Sequence, residues 1–508
     1  MKGCLLLQRQ FAYIGHFVAA HLKAHYGITE FCGYVFLRSS LQFLTTQTEI
    51  TYTRLLLDEE IHARYKTEPL DPEYLRFLER EYGLPSLWPY LTVDRIVFSS
   101  QLVREYPFDA PRYTHEEMLR LLQVYARAII EMLDTEKPDF LFCSALGGIG
   151  SLLLYHIAKK RGIKILHVLP SCLKDRYVLS EQYNRFTWAD TLFQNEPDRL
   201  RASESWNQAA AYLNEFRAKP IPYVAKLNPA AQSVTRSKQL MFLKPKNAIR
   251  SITAFVKLLK DFYTKPDRHD YDTVHPWHYL IDRIKRKLNN LRGTDDLYDT
   301  FNPDEPFVFF PLHYEPEISL LLLAPFRTDQ LSLIKQIARA LPVQYKLYVK
   351  DHPQMAEYRP RRFYKALKKI PNIKLIRPSM KSFEILPRAK LIATITGTAG
   401  WEAIMLGKPV ISFGHWFYNS LPQVAYCRAI EDLPQLVKER LDHFTCNDDE
   451  LLLFMAALFH ESAEVSLNYL WEDEPDLNKK REGVRPLADL VAKKLNIKPL
   501  NQPTYVRE

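Results

Sequence analysis

The chain has 508 residues, which is too long for a single hydrophobic core, so two or three domains are expected. Hydrophobic residues make up 47% and charged residues 25%, values typical of a water-soluble globular protein, and no apolar run approaches the ~20 residues that cross a bilayer. The net charge of +10 permits an anionic partner but does not require one.

The N-terminus and the cysteines indicate the compartment. The opening stretch MKGCLLLQRQF has too short an apolar run for a signal peptide and is typical of a first strand. The six cysteines are scattered without a Cys-x-x-Cys pair, so we expect neither a disulfide framework nor a metal site. These features predict a cytoplasmic protein that needs no metal or cofactor.

Apolar strands alternate with amphipathic helices in the first part of the chain. Strands are predicted at 2–7, 31–37, 138–144 and 163–169, and helices at 11–26, 116–133 and 152–161. Between 45 and 111 the pattern is weaker. Such alternation indicates a parallel sheet covered on both faces, so we predict a Rossmann-like domain over 1–195.

A helical segment is predicted over 196–305, with helices at 203–218, 248–263 and 277–291. From Arg236 to Arg292 there are 14 Lys and Arg against 5 Asp. One interpretation is a solvated helical insert or a brace between domains. The other is a peripheral contact in which basic helices at 248–292 dock on anionic lipid headgroups. Nucleic acid is not expected, because no recognition module accompanies the charge.

Alternation returns at 306–430. Strands are predicted at 307–312, 345–349, 373–376, 391–395 and 409–413, a helix at 328–341, and further helices over 431–508. Polar motifs follow three of the strands: HYEPE from His313, KDHP from Lys350 and TGTAG from Thr396. Ligands of open parallel sheets bind beyond the carboxyl ends of the strands. The motifs therefore predict one site for a small anion, such as a nucleotide phosphate.

The KDHP motif supplies two donors. Alternation along a strand puts Lys350 and His352 on one side, and Pro353 ends the strand there. Phosphate oxygens favour such donors. The alternative is a surface lysine and a histidine bonded to the backbone.

The TGTAG motif is a strand-to-helix turn of small residues. Thr396, Gly397, Thr398 and Gly400 leave backbone N–H groups open to an anion, and the threonine hydroxyls add donors. Glu402 follows on the helix, where its carboxylate can reach a ribose diol.

Further candidates come from both halves. His313, Glu315 and Glu317 are placed to contact the base or the reacting sugar, although either glutamate can instead cap the next helix. Asp175 follows a strand of the first half, and His16 follows the first strand-to-helix loop. Either can supply a catalytic base, with Glu317 as the third candidate; the alternatives are a surface turn and a structural histidine.

Four stretches carry a family resemblance: FPLHYEPE, LYVKDHP, PNIKLI and ITGTAGWEAIMLGKPVISFGHWFY. They resemble the bacterial capsule polysaccharide biosynthesis proteins, which are related to the capsule β-Kdo transferases and, more distantly, to sialyltransferases with an HP motif. The resemblance implies an α/β fold of GT-B type, in which two Rossmann-like domains face each other across a cleft, here with a helical insert and C-terminal helices. It also implies that His352, Thr396 and Thr398 hold the phosphate of a CMP-linked donor.

The resemblance and the motifs together predict a metal-independent glycosyltransferase of surface polysaccharide synthesis. Its partners would be a nucleotide-sugar donor, with CMP-, UDP- and GDP-linked sugars all open, and a glycan or glycolipid acceptor. It would work in the cytoplasm or at the cytoplasmic face of the inner membrane. A sugar-nucleotide 2-epimerase and a non-catalytic capsule assembly or export factor are the alternatives.

Overall fold

The computed structural model describes residues 1–9, 11–99, 111–221, 223, 236–264, 275–356 and 358–500. They form two compact units. Unit 1 comprises Met1–Leu91, Tyr113–Pro197 and the described residues from Ala457 onward. Unit 2 comprises the described residues of 92–112 and 198–456. The segment predicted at 196–305 as a separate piece is therefore part of unit 2 from Asp198 onward.

The strands are β1 Lys2–Leu7, β2 Glu30–Val35, β3 Tyr52–Leu57, β4 Phe140–Cys143, β5 Lys164–Pro170, β6 Arg176–Ser180, β7 Phe307–Pro311, β8 Lys346–Lys350, β9 Ile373–Ile376, β10 Leu391–Thr394, β11 Val410–Ser412, β12 Val424–Tyr426 and β13 Ser462–Glu464. The helices are α1 Phe11–Tyr26, α2 Arg38–Thr46, α3 Asp58–Ala63, α4 Pro72–Glu81, α5 Trp88–Val93, α6 Arg95–Ser99, α7 His115–Glu136, α8 Ile149–Lys160, α9 Thr187–Asn195, α10 Pro197–Arg201, α11 Glu204–Ala218, α12 Arg236–Gln239, α13 Pro245–Thr264, α14 Pro276–Arg292, α15 Ile318–Leu321, α16 Gln330–Ala340, α17 Arg361–Lys368, α18 Ser382–Ile385, α19 Thr398–Met405, α20 Leu433–Asp442, α21 Asp448–Glu461, α22 Leu467–Glu472, α23 Leu477–Gly483 and α24 Arg485–Leu495. Within these described ranges, the structure contains no helix with the length and hydropathy of a membrane span.

Unit 1 is built on a seven-stranded sheet in the order β13-β6-β5-β4-β1-β2-β3. The run from β5 to β3 is parallel, whereas β6 and β13 pair antiparallel at one edge. The continuous apolar sequence of β1 suits a central strand that is covered on both faces.

The C-terminal part of the chain corrects one prediction. We expected only helices over 431–508, but β13 lies in this segment and pairs with β6. Leu487 and Val491 of α24 also join the core that contains Leu5 and Phe17. The segment from Ala457 therefore completes the first domain, because the apolar side of α24 covers a face of its sheet.

Unit 2 contains a six-stranded sheet in the order β12-β11-β10-β7-β8-β9, and every recorded pairing in it is parallel. The chain adds β8 and β9 on one side of β7 and then returns to add β10, β11 and β12 on the other. The strand order therefore reverses between β7 and β10, which is where open parallel sheets bind ligands. The predicted α/β class with two Rossmann-like domains is confirmed, whereas the cleft between them stays a prediction.

Candidate anion-binding site

The three polar motifs follow adjacent strands of the unit 2 sheet. HYEPE follows β7, KDHP follows β8 and TGTAG follows β10, and the order across the sheet is β10-β7-β8. The pairing of β7 with β8 extends to their last residues, where the backbone N–H of Leu312 donates to the carbonyl of Lys350 at 2.9 Å. All three motifs therefore lie at one edge, beside the reversal of strand order.

His313 connects two of these motifs. Its side chain is buried, and its Nε2 accepts a hydrogen bond from the backbone N–H of Thr396 at 3.1 Å. Burial, with His352 and Arg359 adding to it, lowers the pKa of His313 to about 3, so the ring is neutral. With Nε2 as the acceptor, the proton sits on Nδ1, which has no hydrogen-bond partner among the described residues. Buried donors usually have a hydrogen-bond partner, so this unpaired N–H is suited to a ligand atom that accepts a hydrogen bond.

Close packing explains the small residues of the loop after β10. A Cβ on Gly397 would lie 3.0 Å from Oγ1 of Thr394 and 3.1 Å from Nε2 of His313. A Cβ on Gly400 would lie 2.9 Å from the hydroxyl of Tyr418. Larger side chains at either position would push the loop away from the sheet.

The same loop leaves donors at the start of α19. The hydroxyl of Thr396 donates to the carbonyl of Ser319 at 2.9 Å and serves the fold. Among the described residues, the Thr398 hydroxyl and the backbone N–H groups of Thr398 and Ala399 have no hydrogen-bond partner. These groups form the first turn of a helix, where the helix dipole also favours an anion.

Lys350 is a buried cation at the end of β8. Only 6% of it is exposed, and it points away from the core that contains Leu347 and Val349. Burial lowers the pKa of Lys350 to about 8, an effect partly offset by Asp351 and Glu402. In the described part of the chain, no hydrogen bond or ion pair involves its ammonium group. The folded protein therefore buries this charge without a direct counter-ion, which is energetically costly.

Glu402 on α19 is, with Asp351, one of the two carboxylates that attract Lys350. The carboxylate is buried, and its Oε1 accepts a hydrogen bond from the backbone N–H of Tyr223 at 3.0 Å. Burial raises the pKa of Glu402 to about 7, while the Tyr223 N–H and Lys350 act in the opposite direction. The two groups attract each other without touching, and both titrate close to neutrality.

His352 has a fixed orientation. Its Nδ1 accepts a hydrogen bond from the backbone N–H of Gln354 at 3.3 Å, which caps the short helical turn Pro353–Met355. The ring also stands edge-on to Tyr314 with centroids 5.7 Å apart. The capping bond leaves Nε2 as the protonated nitrogen of the neutral ring, a donor suited to phosphate.

Arg359, which the sequence did not single out, holds the loops after β7 and β8 together. It is buried, donates to the Asp351 carboxylate, and also donates to the His313 carbonyl at 2.6 Å and the Glu315 carboxylate at 3.1 Å. Burial would lower the pKa of Arg359, but Asp351 and Glu315 outweigh it and raise the pKa. Arg359 lies in an ordinary Arg-Pro-Arg-Arg run, so no sequence pattern distinguishes it.

Gln330, also not predicted, completes this support. Its Oε1 accepts from the His313 backbone N–H at 2.7 Å, and its Nε2 donates to Glu315. The Glu315 carboxylate is thus held between Arg359 and Gln330. Glu317 accepts from the Ser319 hydroxyl at 3.1 Å and immediately precedes α15. The side chain of Glu315 thus supports the loop, and no side-chain hydrogen bond caps α15. The predicted ligand roles of both glutamates stay predictions.

The two predicted bases of the first half belong to unit 1. His16 is fully buried, with Nδ1 3.0 Å from the Tyr52 hydroxyl and Nε2 3.6 Å from the Glu49 carboxylate. Burial lowers the pKa of His16, although Glu49 opposes it. Asp175 has φ +51° in the turn between β5 and β6, and its carboxylate accepts from the Ser466 hydroxyl at 2.6 Å. Both contacts serve the fold, and a catalytic role for either residue stays a prediction.

Comparison with solved structures gives distant similarities. The chain is similar to the KpsC β-Kdo 2,7-transferase of Thermosulfurimonas dismutans, with 13% identity over 72% of this chain and 89% of that one and a TM-score of 0.34. It is also similar to the KpsC β-Kdo 2,4-transferase of the same organism, with 15% identity, coverage of 65% and 83% and a TM-score of 0.31. It is also similar to the UDP-GlcNAc 2-epimerase of Neisseria meningitidis, with 11% identity over 97% of this chain and 100% of that one and a TM-score of 0.24.

Comparison with families and with curated proteins gives one match. No curated protein is significantly similar to the chain. Residues 223–430 match the model of a family described as "Capsule polysaccharide biosynthesis protein". The matched stretch contains all six strands of the unit 2 sheet and all three polar motifs. This part of the chain is therefore similar to the capsule polysaccharide biosynthesis proteins, as its motifs indicated.

Proposed function

We propose that the chain is a glycosyltransferase that moves a sugar from a nucleotide-linked donor to a glycan or glycolipid acceptor during capsule synthesis. The observation that carries the proposal is Lys350, a buried cation to which the described residues offer no direct counter-ion, at the edge where strand order reverses. Burying a charge is costly unless an opposite charge accompanies it. A donor phosphate would supply that charge.

The groups around Lys350 suit a phosphate. The first-turn N–H groups of α19, the Thr398 hydroxyl and Nε2 of His352 are donors, and donors of this kind bind phosphate oxygens. Nδ1 of His313 is a further buried donor. Glu402 differs from them as an acceptor, and we assign it to the ribose hydroxyls of the nucleotide.

The same charges would assist the chemistry. An acceptor hydroxyl attacks the anomeric carbon, the bond from that carbon to the phosphate oxygen breaks, and the electron pair leaves with the nucleotide. Lys350 and the α19 amides would stabilise the negative charge that develops on the leaving phosphate. The hydroxyl proton needs a base, for which Asp175, His16 and Glu317 are the predicted candidates.

Because protein cations neutralise the leaving group in this scheme, we expect transfer to continue when divalent metal is chelated. A cytoplasmic location is part of the proposal: the six cysteines are all free, as a reducing compartment requires.

Binding can be tested with CMP, UDP, GDP and their sugar conjugates, with the midpoint of thermal unfolding as the readout. One nucleotide should raise the midpoint by mass action. Lys350→Met should weaken its binding about tenfold or more, the worth of a charge-assisted hydrogen bond. Lys335→Met, an exposed lysine on α16, is the matched control and should bind normally. Binding of none of these compounds would contradict the proposal.

Product analysis separates the alternatives. Transfer to an added acceptor in the presence of a chelator supports the proposal. An isomerised nucleotide sugar formed without any acceptor would establish an epimerase. Normal capsule in cells carrying Lys350→Met would favour a non-catalytic assembly factor.

A further inference from the structure

Helix α14 is inverted with respect to the usual amphipathic arrangement. Its polar side is buried in unit 2, where Asp282, Arg286 and Asn290 are each less than a tenth exposed. Arg286 pairs with Asp282 at 3.0 Å and donates to the Tyr358 hydroxyl at 3.0 Å. The helix is thus attached to its unit by polar contacts, whereas surface helices normally bury their apolar side.

The opposite side of α14 is an exposed apolar stripe. Its members recur at steps of four and three residues and are each 47–52% exposed: Trp277, Ile281, Ile284, Leu288 and Leu291. A contiguous apolar surface of this kind on a globular protein marks an interaction site. The stripe faces outward, because on the opposite side of the helix Arg286 donates to the Tyr358 hydroxyl and Asn290 donates to the Gln239 carbonyl.

Helix α13 extends the apolar surface. It lies against α14 through Phe255 and Trp277, whose ring centroids are 5.9 Å apart. None of its residues is buried, and Ile249, Ile252 and Val256 are each about 60% exposed. Two neighbouring helices therefore present apolar side chains that the described part of the chain does not cover.

The charge around these stripes is strongly positive. The two helices carry nine Lys and Arg against two Asp. At about 100° per residue, Lys285 and Arg292 lie on one side of the α14 stripe and Lys287 on the other. An outward apolar stripe with cations on both flanks is the arrangement of helices that lie in an anionic membrane interface. Two copies of the chain meeting on this face would instead bring like charges together.

A basic cavity lies at the C-terminal end of the stripe. It measures about 230 Å³, and its lining includes Asn289, Arg292, Arg361 and Arg362. Arg361 is paired with Asp296, but the side chains of Arg292 and Arg362 make no hydrogen bond or ion pair with the described residues. A lipid phosphate group beside the stripe would find two cations there.

We propose that α13 and α14 form a docking surface for an anionic lipid bilayer, in which the apolar stripes enter the interface and the basic cavity receives a headgroup phosphate. This inference does not depend on the proposed transfer reaction. It places unit 2, with its anion-binding edge, at a membrane surface.

The full chain can be sedimented with vesicles of phosphatidylcholine alone or mixed equally with phosphatidylserine, without any nucleotide. The chain should sediment with the anionic vesicles only, and salt should release it. The double variant Ile281→Asn with Leu288→Asn should weaken vesicle binding about tenfold or more, because it removes apolar side chains that enter the interface. The separate double variant Lys285→Glu with Arg292→Glu should weaken vesicle binding by a similar factor, since a basic residue near such a surface contributes about 1 kcal/mol. The altered positions are exposed, so folding should be unaffected.

Matched controls address general loss of hydrophobicity or charge. Val343→Asn with Leu477→Asn removes exposed apolar residues of other elements, and Lys335→Glu with Arg339→Glu reverses exposed charges on α16. Both should bind like the parent. Trp277 provides a direct probe, because its fluorescence should shift to shorter wavelength on anionic vesicles and Trp277→Phe should remove that shift.

Three results would overturn the inference. The chain could stay in solution with anionic vesicles, or the stripe variants could bind as well as their controls. Light scattering could instead show a dimer that Ile281→Asn with Leu288→Asn dissociates, in which case a second copy covers the stripe. None of these results would bear on nucleotide binding.

Discussion

Replacement of Lys350 by methionine should stabilise the protein while it removes a ligand contact. Burial lowers the pKa of Lys350 from 10.5 to about 8. Each tenfold loss of proton affinity corresponds to about 1.4 kcal/mol, so at neutral pH the buried charge costs the fold about 3 kcal/mol. Methionine is similar in length and adapts to irregular spaces, so it relieves this cost without leaving a cavity. Glu402 then loses a nearby cation and is protonated at pH 7.

The dependence on pH distinguishes this effect from simple packing. Below pH 8 the folded and unfolded chains both keep the Lys350 proton, and the whole cost is present. Between about pH 8 and 10.5 the folded chain releases the proton first, so parent stability rises with pH. The gap between Lys350→Met and the parent should therefore be largest near pH 7 and should close towards pH 10.5.

Calorimetry of both proteins across this pH range provides the measurement. A gain of about 3 kcal/mol corresponds to a rise of about 5 °C or more in the midpoint for a unit of this size. Lys335→Met controls for the general loss of a surface cation. A variant that is less stable than the parent at pH 7, or a gap that does not change with pH, would refute the argument.

Two further predictions concern other buried groups. Arg359→Met should destabilise unit 2 by about 3 to 5 kcal/mol, because it leaves Asp351 buried without its cation. An unchanged calorimetric midpoint would show that the contacts of Arg359 with the loops after β7 and β8 are dispensable. Burial lowers the pKa of His167 to about 4. The neutral His167 ring therefore contributes fully to the free energy of unfolding above pH 6.5, and up to about 3 kcal/mol of that free energy is lost as the pH falls towards 4. His167→Gln should therefore flatten the acid limb of the unit 1 stability curve, and an equally steep limb would contradict this.

The strands that position the candidate site were predictable because they are simple. β7, β8 and β10 are short, largely apolar runs that are followed by polar motifs, as fully covered parallel strands are. The edge strand β13 was missed for the opposite reason. β13 is three residues long and is specified by its pairing with β6, a partner almost three hundred residues earlier in the chain. Its own sequence, SAE, contains no signal.

The glycine-rich turn before α8 shows how packing can imitate a ligand motif. A Cβ on Gly150 would lie 1.8 Å from the hydroxyl of Tyr34, so the glycine is required by a neighbouring side chain. That hydroxyl donates to the buried Asp58 carboxylate, to which Tyr125 also donates at 3.0 Å. Sequence spacing cannot separate such a requirement from close approach to a substrate.

Helix α14 shows a different limit. Its apolar period and its basic residues were visible in the sequence, but the usual rule would have turned the apolar side inward. The deciding contact is between Arg286 and Tyr358, which are 72 residues apart. Only the fold reveals that the polar side is the attached one.

The two buried cations at the edge of the unit 2 sheet show how the fold separates support from function. Arg359 is enclosed by a carbonyl and two carboxylates that raise its pKa, so every feature of its surroundings is explained by holding the loops after β7 and β8. Lys350, nine residues earlier in the chain, is almost equally buried, yet its pKa is lowered. Neither of the two carboxylates that attract it, those of Asp351 and Glu402, makes an ion pair with it. A cation that served only the fold would have acquired a partner as Arg359 did, because a buried charge without one is among the costliest features of a protein interior. The contacts of Arg359 and the opposite shifts of the two pKa values therefore favour a structural role for Arg359 and support the proposed role of Lys350 in binding an anion.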